Sequence, residues 1–173
     1  SGRLAIDDAA LGLDLCATGS LVIEGPGAVP VLDAVLGQLL VLYSPADLRV
    51  LTDREPWWEV PHVQGGSATQ LLREVEPLLG IGEDGDRGSD DPPPWTVLAV
   101  SGTDLSSADL DLVSVLCREG PRRRVIVLVT GASITAARAR LVTSSTGPAR
   151  LNGLPPQAAD IVGGSLVVDG VGA

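Results

Sequence analysis

The chain has 173 residues, and all twelve of its basic side chains are arginine, which excludes Schiff-base chemistry, a lysine base and the lysine of a standard phosphate-binding loop. An apolar content of 45% with mean hydropathy +0.29 is ample for the core of one domain and excludes wholesale disorder. The net charge of −10 argues against autonomous nucleic-acid binding, because neutralising phosphates dominates that affinity.

Short apolar runs alternate with helical patterns, the signature of an α/β domain. Leu11–Leu15 and Ser20–Ile23 read as strands. Residues Ala28 to Tyr43 place Val29, Leu32, Val35, Leu36, Leu39, Leu40 and Tyr43 on one helical face, with Pro30 tolerated in the first turn. A turn at Ser44–Asp47 leads to a strand at Leu48–Thr52. The stretch from Glu55 to Val63 is irregular and aromatic, and Ala68–Leu79 is helical. Residues 80–94, acidic and rich in Gly and Pro, read as a loop.

Thr96–Val100 is an apolar strand, followed by a helix near Ser106–Arg118. Val125–Thr130 is apolar on both faces and belongs in the middle of a covered parallel sheet. A short helix at Ser133–Arg138 and edge strands at Arg140–Thr143 and Ser165–Val168 complete the pattern. No internal repeat or domain boundary is visible, so residues 1–173 are expected to form one domain. The start at Ser1-Gly2, without methionine, is expected of a piece excised from a longer protein with a tag scar in front. Cys16 and Cys117 fit no metal-ligand spacing and read as reduced, buried thiols of a cytosolic protein. No uninterrupted apolar stretch is long enough to span a bilayer.

Charge is unevenly placed: residues 112–173 carry seven arginines against three acids, whereas the first 111 residues are strongly acidic. Arg122, Arg123 and Arg124 sit in a turn before the most apolar strand.

The element order resembles a RecA-type P-loop NTPase core, a mainly parallel sheet covered by helices on both faces. Ser20 to Gly27 (SLVIEGPG) resembles the entry to the phosphate loop of the FtsK/SpoIIIE motor ATPases. Leu39 to Val50 resembles the next helix, turn and strand of that family. Val60-Pro61-His62-Val63 after a Trp pair is similar to a phrase of its type VII secretion members. Arg118 to Thr130 and Gly163 to Val168 resemble the family's sensor strand and closing strand.

The departures concern chemistry. Aligning Gly25 with the first glycine of the phosphate loop puts Pro30 on the last glycine, Val31 on the lysine and Leu32 on the Ser/Thr. These changes delete a cradle N–H, the charge and the metal ligand. The family's paired acids after the central strand are replaced by Ser101-Gly102-Thr103-Asp104, in which Asp104 better matches an aspartate capping the following helix. The sensor glutamine is replaced by Gly131, Ala132 or Ser133. No catalytic residue and no metal site is therefore expected here, and ATP with magnesium would enter only if the relic site still binds. The resemblance implies a degenerate, regulatory or substrate-recognising domain of a type VII secretion motor. It would be cytoplasmic in a parent anchored to the plasma membrane, with other ATPase domains and a secreted protein's helical tail as partners. The alternative is an ATP-binding DNA or protein translocase subunit whose site is completed in trans, and a third is a stand-alone scaffold of the same fold.

Several residues admit two readings. Gly25-Pro26-Gly27 is either a relic phosphate site or a plain strand-to-helix turn. Arg122–Arg124 either reach a neighbouring subunit's nucleotide or form a solvated turn. Trp57, Trp58 and Trp95 are either a recognition surface or packing. His62 is a packed loop histidine or a recognition residue; no nucleophile motif adjoins it. Asp84, Asp86, Asp90 and Asp91 do not follow a calcium-loop spacing and read as a solvated linker.

Overall fold

The computed structural model describes residues 2–6, 9–80, 92–144, 150–152 and 166–167. A main sheet of seven strands takes the spatial order β5-β4-β6-β7-β3-β8-β9, with β3 Ser20–Glu24, β4 Leu48–Thr52, β5 Val63–Gly65, β6 Trp95–Ser101, β7 Val125–Thr130, β8 Ala139–Val142 and β9 Arg150–Asn152. The pairs from β5 to β8 are all parallel, and β9 joins β8 antiparallel. A separate antiparallel sheet is formed by β1 Gly2–Ile6, β2 Ala9–Leu13 and β10 Leu166–Val167.

Helices cover both faces of the main sheet, as expected for this α/β class. Helix α2 (Ala28–Leu42) sends Val31, Leu32, Val35, Leu36 and Leu39 onto one face, against Ile126 and Leu128 of β7 and Val97 of β6. Helices α3 (Ala68–Gly80) and α4 (Ser107–Glu119) cover the other face, where Leu71, Leu72, Val113 and Leu116 meet Val125, Val127 and Val129. All six residues of β7 are buried, and β7 lies between β6 and β3, the central position its two apolar faces require.

Four expectations need correction. Leu15 belongs to a one-turn helix, α1 (Leu15–Thr18), fixed by Asp14, whose carboxylate accepts from Ala17 N–H, and by Gly19 at φ 75. Ser133–Arg138 is not a helix: one turn closes from Ala137 N–H to Ile134 O, and six residues with two β-branched side chains do not offset helix nucleation. β8 is not an edge, because β9 pairs outside it. Residues 166–167 pair with β1 in the small sheet, not with the main one. Asp84, Asp86, Asp90 and Asp91 lie outside the described residues, as does most of the expected loop 80–94.

Candidate functional site

In a parallel sheet the turns after the strands gather at the carboxyl edge, where ligands of such folds bind. Gly25-Pro26-Gly27 is there, joining β3 to α2. Gly27 is the N-cap of α2 and provides no side-chain cap. Its N–H donates instead to Thr143 Oγ1 at 3.0 Å, and that hydroxyl donates to Glu24 O at 2.9 Å. Thr143 N–H also reaches Glu24 O, at 2.7 Å. Ala28 N–H turns back to Gly25 O at 3.1 Å. Two N–H groups that could converge on a phosphate are thus already bonded, and Pro30 contributes none.

The same threonine explains Gly25. Its φ is +99, and a Cβ there would stand 2.2 Å from Thr143 O. The glycine is required by the close approach of the chain leaving β8, whatever else the turn does. Val31 and Leu32 are 3% and 0% exposed, so both side chains are part of the core beneath the sheet.

Two strands away, about 10 Å at normal strand spacing, the residues after β6 pack on those after β7. Gly102 N–H donates to Thr130 O at 2.7 Å, and a Cβ on Gly102 would lie 2.3 Å from Ala132 Cβ. Gly131, at φ +72, is pressed against Thr103 Oγ1, while Ser133 Oγ accepts from Arg140. Ser101 Oγ bonds Thr103 Oγ1 at 3.1 Å. Asp104 is exposed and is not the helix cap: Ser106 caps α4, accepting from Asp109 N–H at 3.2 Å. A serine directly before the helical run wins over an aspartate two residues earlier.

Sequence reasoning missed Asp53, which follows β4. Its Oδ2 accepts from Ser101 N–H at 2.8 Å, and its Oδ1 is buried without a hydrogen-bond partner among the other described residues. Burial pushes this carboxyl above its usual range, against the opposing pull of the Ser101 N–H and of Arg54. Asp53 lines a cavity of about 350 Å³ together with Trp58, Ser67, Ser101, Asp104 and Leu105. An acid just past an apolar strand was the signal that could have found it.

The aromatic segment divides. Trp57 is held inward: its Nε1–H donates to Asp33 Oδ1 at 2.8 Å, and Arg54 forks onto the same carboxylate at 3.1 and 2.7 Å. Trp95 packs on the core beneath the Arg124 guanidinium, 5.5 Å from the ring centre. Trp58 remains 43% exposed, although its Nε1–H is fixed to Thr52 O at 3.0 Å.

At the opposite, amino edge stands the basic turn. Arg124, at φ 56, donates to Pro93 O at 2.8 Å, and Arg122 is 78% exposed beside Glu119. Arg123 is half-buried. The six-residue β7 separates this turn from the carboxyl edge by about 20 Å. The same edge carries a groove of about 280 Å³ between the end of α2 and the chain before β5, lined by Leu40, Tyr43, Leu48, Val60, Pro61 and His62. On the same last turn of α2, Val41 and Leu42 are 86% and 60% exposed. His62 holds φ 77, unusual for a residue with a Cβ.

Of the two thiols, Cys117 is buried, which pushes its pKa up to about 11, and Cys16 is half-buried. Among the described residues there is no cluster fit to hold a metal, and no helix is long and apolar enough to cross a membrane.

Neither a family model nor a curated protein sequence matches the chain. Solved structures do share its fold. The ATPase 2 and 3 unit of Thermomonospora curvata EccC, in complex with a signal sequence peptide, superposes with a TM-score of 0.65 at 14% identity, over 83% of this chain and 33% of that one. The cytoplasmic domain of the type VII secretion ATPase EccC from the same organism gives 0.64 at 16% identity, over 99% of this chain and 26% of that one. EssC ATPases 2 and 3 from Geobacillus thermodenitrificans give 0.62 at 11% identity, over 95% and 43%. The chain therefore spans less than half of each, and the likeness establishes the RecA-like ATPase fold.

Proposed function

We propose that this chain is a non-hydrolysing ATPase-fold domain of a type VII secretion motor, cytoplasmic in its parent, that recognises a helical segment of a secreted protein. The observation carrying the first half is the Thr143 hydroxyl seated on the Gly25–Gly27 turn. A nucleotide would have to displace an internal bond, and no lysine in the chain can meet its charge. The relic residues Gly25, Pro26, Gly27, Pro30, Val31 and Leu32 then serve the turn and core, and Ser101, Gly102 and Asp104 bind no magnesium.

The groove lined by Leu40, Tyr43 and Leu48, together with the exposed Val41 and Leu42 on the same turn of α2, supports the second half. Burying those two side chains under an amphipathic helix would contribute about 1.5–3 kcal/mol each. The neighbouring fold of EccC was solved with a signal sequence peptide, which motivates the same class of ligand here. Two measurements test the reading. A phosphate-release assay with ATP and magnesium should give no turnover from this chain, and measurable turnover would refute it. A helical tail peptide should bind the wild type and lose at least tenfold on Val41→Asp; undiminished binding would count against the groove.

Exposure of Arg122 favours one second reading, in which the basic turn completes a neighbouring domain's site in trans. Arg122→Ala in the full-length parent should then lower ATP turnover, and unchanged turnover would dismiss it.

A further inference from the structure

The cavity of about 350 Å³ at the carboxyl edge lies where the start of α3 faces the β6–α4 connection, and it shares Ser101 and Asp104 with the position where the family's paired acids are replaced. Among the described residues its lining holds two carboxylates, Asp53 and Asp104, and no basic side chain. Oδ1 of Asp53 is shielded from solvent and takes no hydrogen bond from another described residue. Arg54, the neighbouring cation, is turned away and forked onto Asp33. A carboxylate in that condition carries a poorly compensated charge, and a cation in the adjoining space lowers its cost without touching Oδ1.

The exposed wall is the Trp58 indole. Its N–H is anchored to Thr52 O, and its ring presses so close on Gly65 that a Cβ there would come within 2.4 Å. One side of the ring is therefore held against Gly65, the residue stays 43% exposed where it lines the cavity, and the face of an indole attracts cations. The amino end of α3 opposes this with about half a positive charge, and Ser67 Oγ already bonds Gln70 N–H at 3.3 Å.

The chemistry of the cation follows from the lining. Among the described residues no group of three or more metal-ligating side chains exists, so a bare divalent ion is not suited. Trp58 and Leu105 give an apolar surface for an aliphatic stem, and a planar guanidinium can lie on the indole while donating to carboxylates, which an ammonium does less well. A cavity at the small end of the ligand-pocket range, about 300–1,000 Å³, suits one side chain and its adjoining backbone. We propose that this cavity, walled by Asp53, Asp104 and Trp58, receives the guanidinium of an arginine side chain presented by a partner polypeptide.

The test titrates the full chain with acetyl-Gly-Arg-Gly-amide, with the same peptide carrying citrulline, and with putrescine, followed by amide and indole NMR resonances. The arginine peptide should shift the Trp58 indole N–H and the amides of Ser67–Thr69 and Ser101–Leu105 saturably. Citrulline, neutral and equal in shape, should bind at least tenfold more weakly. Asp104→Asn, at an exposed position that leaves packing intact, should weaken the arginine peptide at least threefold. Equal binding of citrulline, shifts confined to other residues, or an unchanged Asp104→Asn variant would overturn the proposal. Putrescine binding as tightly as the peptide would overturn the choice of a polypeptide and leave a small-amine site.

Discussion

Thr143→Val asks whether the turn after β3 is held closed from within. Valine keeps the shape of threonine and removes only the hydroxyl, which bonds Gly27 N–H at 3.0 Å and Glu24 O at 2.9 Å. Glu24 O keeps a second donor, Thr143 N–H at 2.7 Å, so it is not orphaned. Gly27 N–H loses its partner beside a residue only 8% exposed. Leaving such a donor unmet costs about 1–3 kcal/mol. Thr143→Ser keeps the hydroxyl and loses one methyl, a cost of about 1 kcal/mol. Urea unfolding followed by the fluorescence of the three tryptophans would measure both. The valine variant should be less stable than wild type by about 1–3 kcal/mol, and less stable than the serine variant by up to about 2 kcal/mol. A valine variant as stable as wild type, or more stable than the serine variant, would show that the hydroxyl does not hold the turn.

Gly25→Ala combines a positive φ with a clash on Thr143 O and should destabilise by about 2–4 kcal/mol on the same urea curves; a loss below about 0.5 kcal/mol would contradict the packing. The Asp53 carboxyl is raised by burial, so its contribution to stability is fully present below its unfolded pKa and declines as pH rises through the folded value. Asp53→Asn should therefore flatten the pH dependence above about pH 4 and raise the melting temperature at pH 7; a lower melting temperature at pH 7 would reverse the sign. Asp33 behaves oppositely: burial alone would raise it, but the hydrogen bonds from Arg54 and Trp57 hold it below its usual value. Its contribution is present above the unfolded pKa and lost as pH falls through the folded one, so Asp33→Asn should remove part of the acid transition below about pH 4. An unaltered acid transition would argue against that ion pair. At pH 8 a thiol reagent should modify half-buried Cys16 well before Cys117, whose pKa is about 11; equal rates would mean Cys117 is not shielded.

Legibility in the sequence followed the range of the interaction. Val125–Thr130 could be placed in mid-sheet because an uninterrupted apolar run needs cover on both faces. α2 and α4 were legible from periodicity, with ends within a residue or two of expectation. α1 was missed although Asp14 and Gly19 mark its two ends, because four residues show no periodicity. Pairing of β1 with β10 joins residues far apart in the chain, and no local pattern encodes it. The turn at Gly25 could be located, yet its meaning could not: Thr143 lies 116 residues beyond Gly27 and reads in sequence only as the end of a strand. Trp57 and Trp58 looked equivalent, and only the position of Asp33 on α2 separates the packed ring from the exposed one.

Calorimetric titration of the chain with ATP and magnesium tests whether a turn closed by its own threonine still takes a nucleotide. No saturable binding in the micromolar range is expected, for wild type and for a Thr143→Ser variant alike. A micromolar dissociation constant, lost on Gly25→Ala in a chain that still folds, would contradict it.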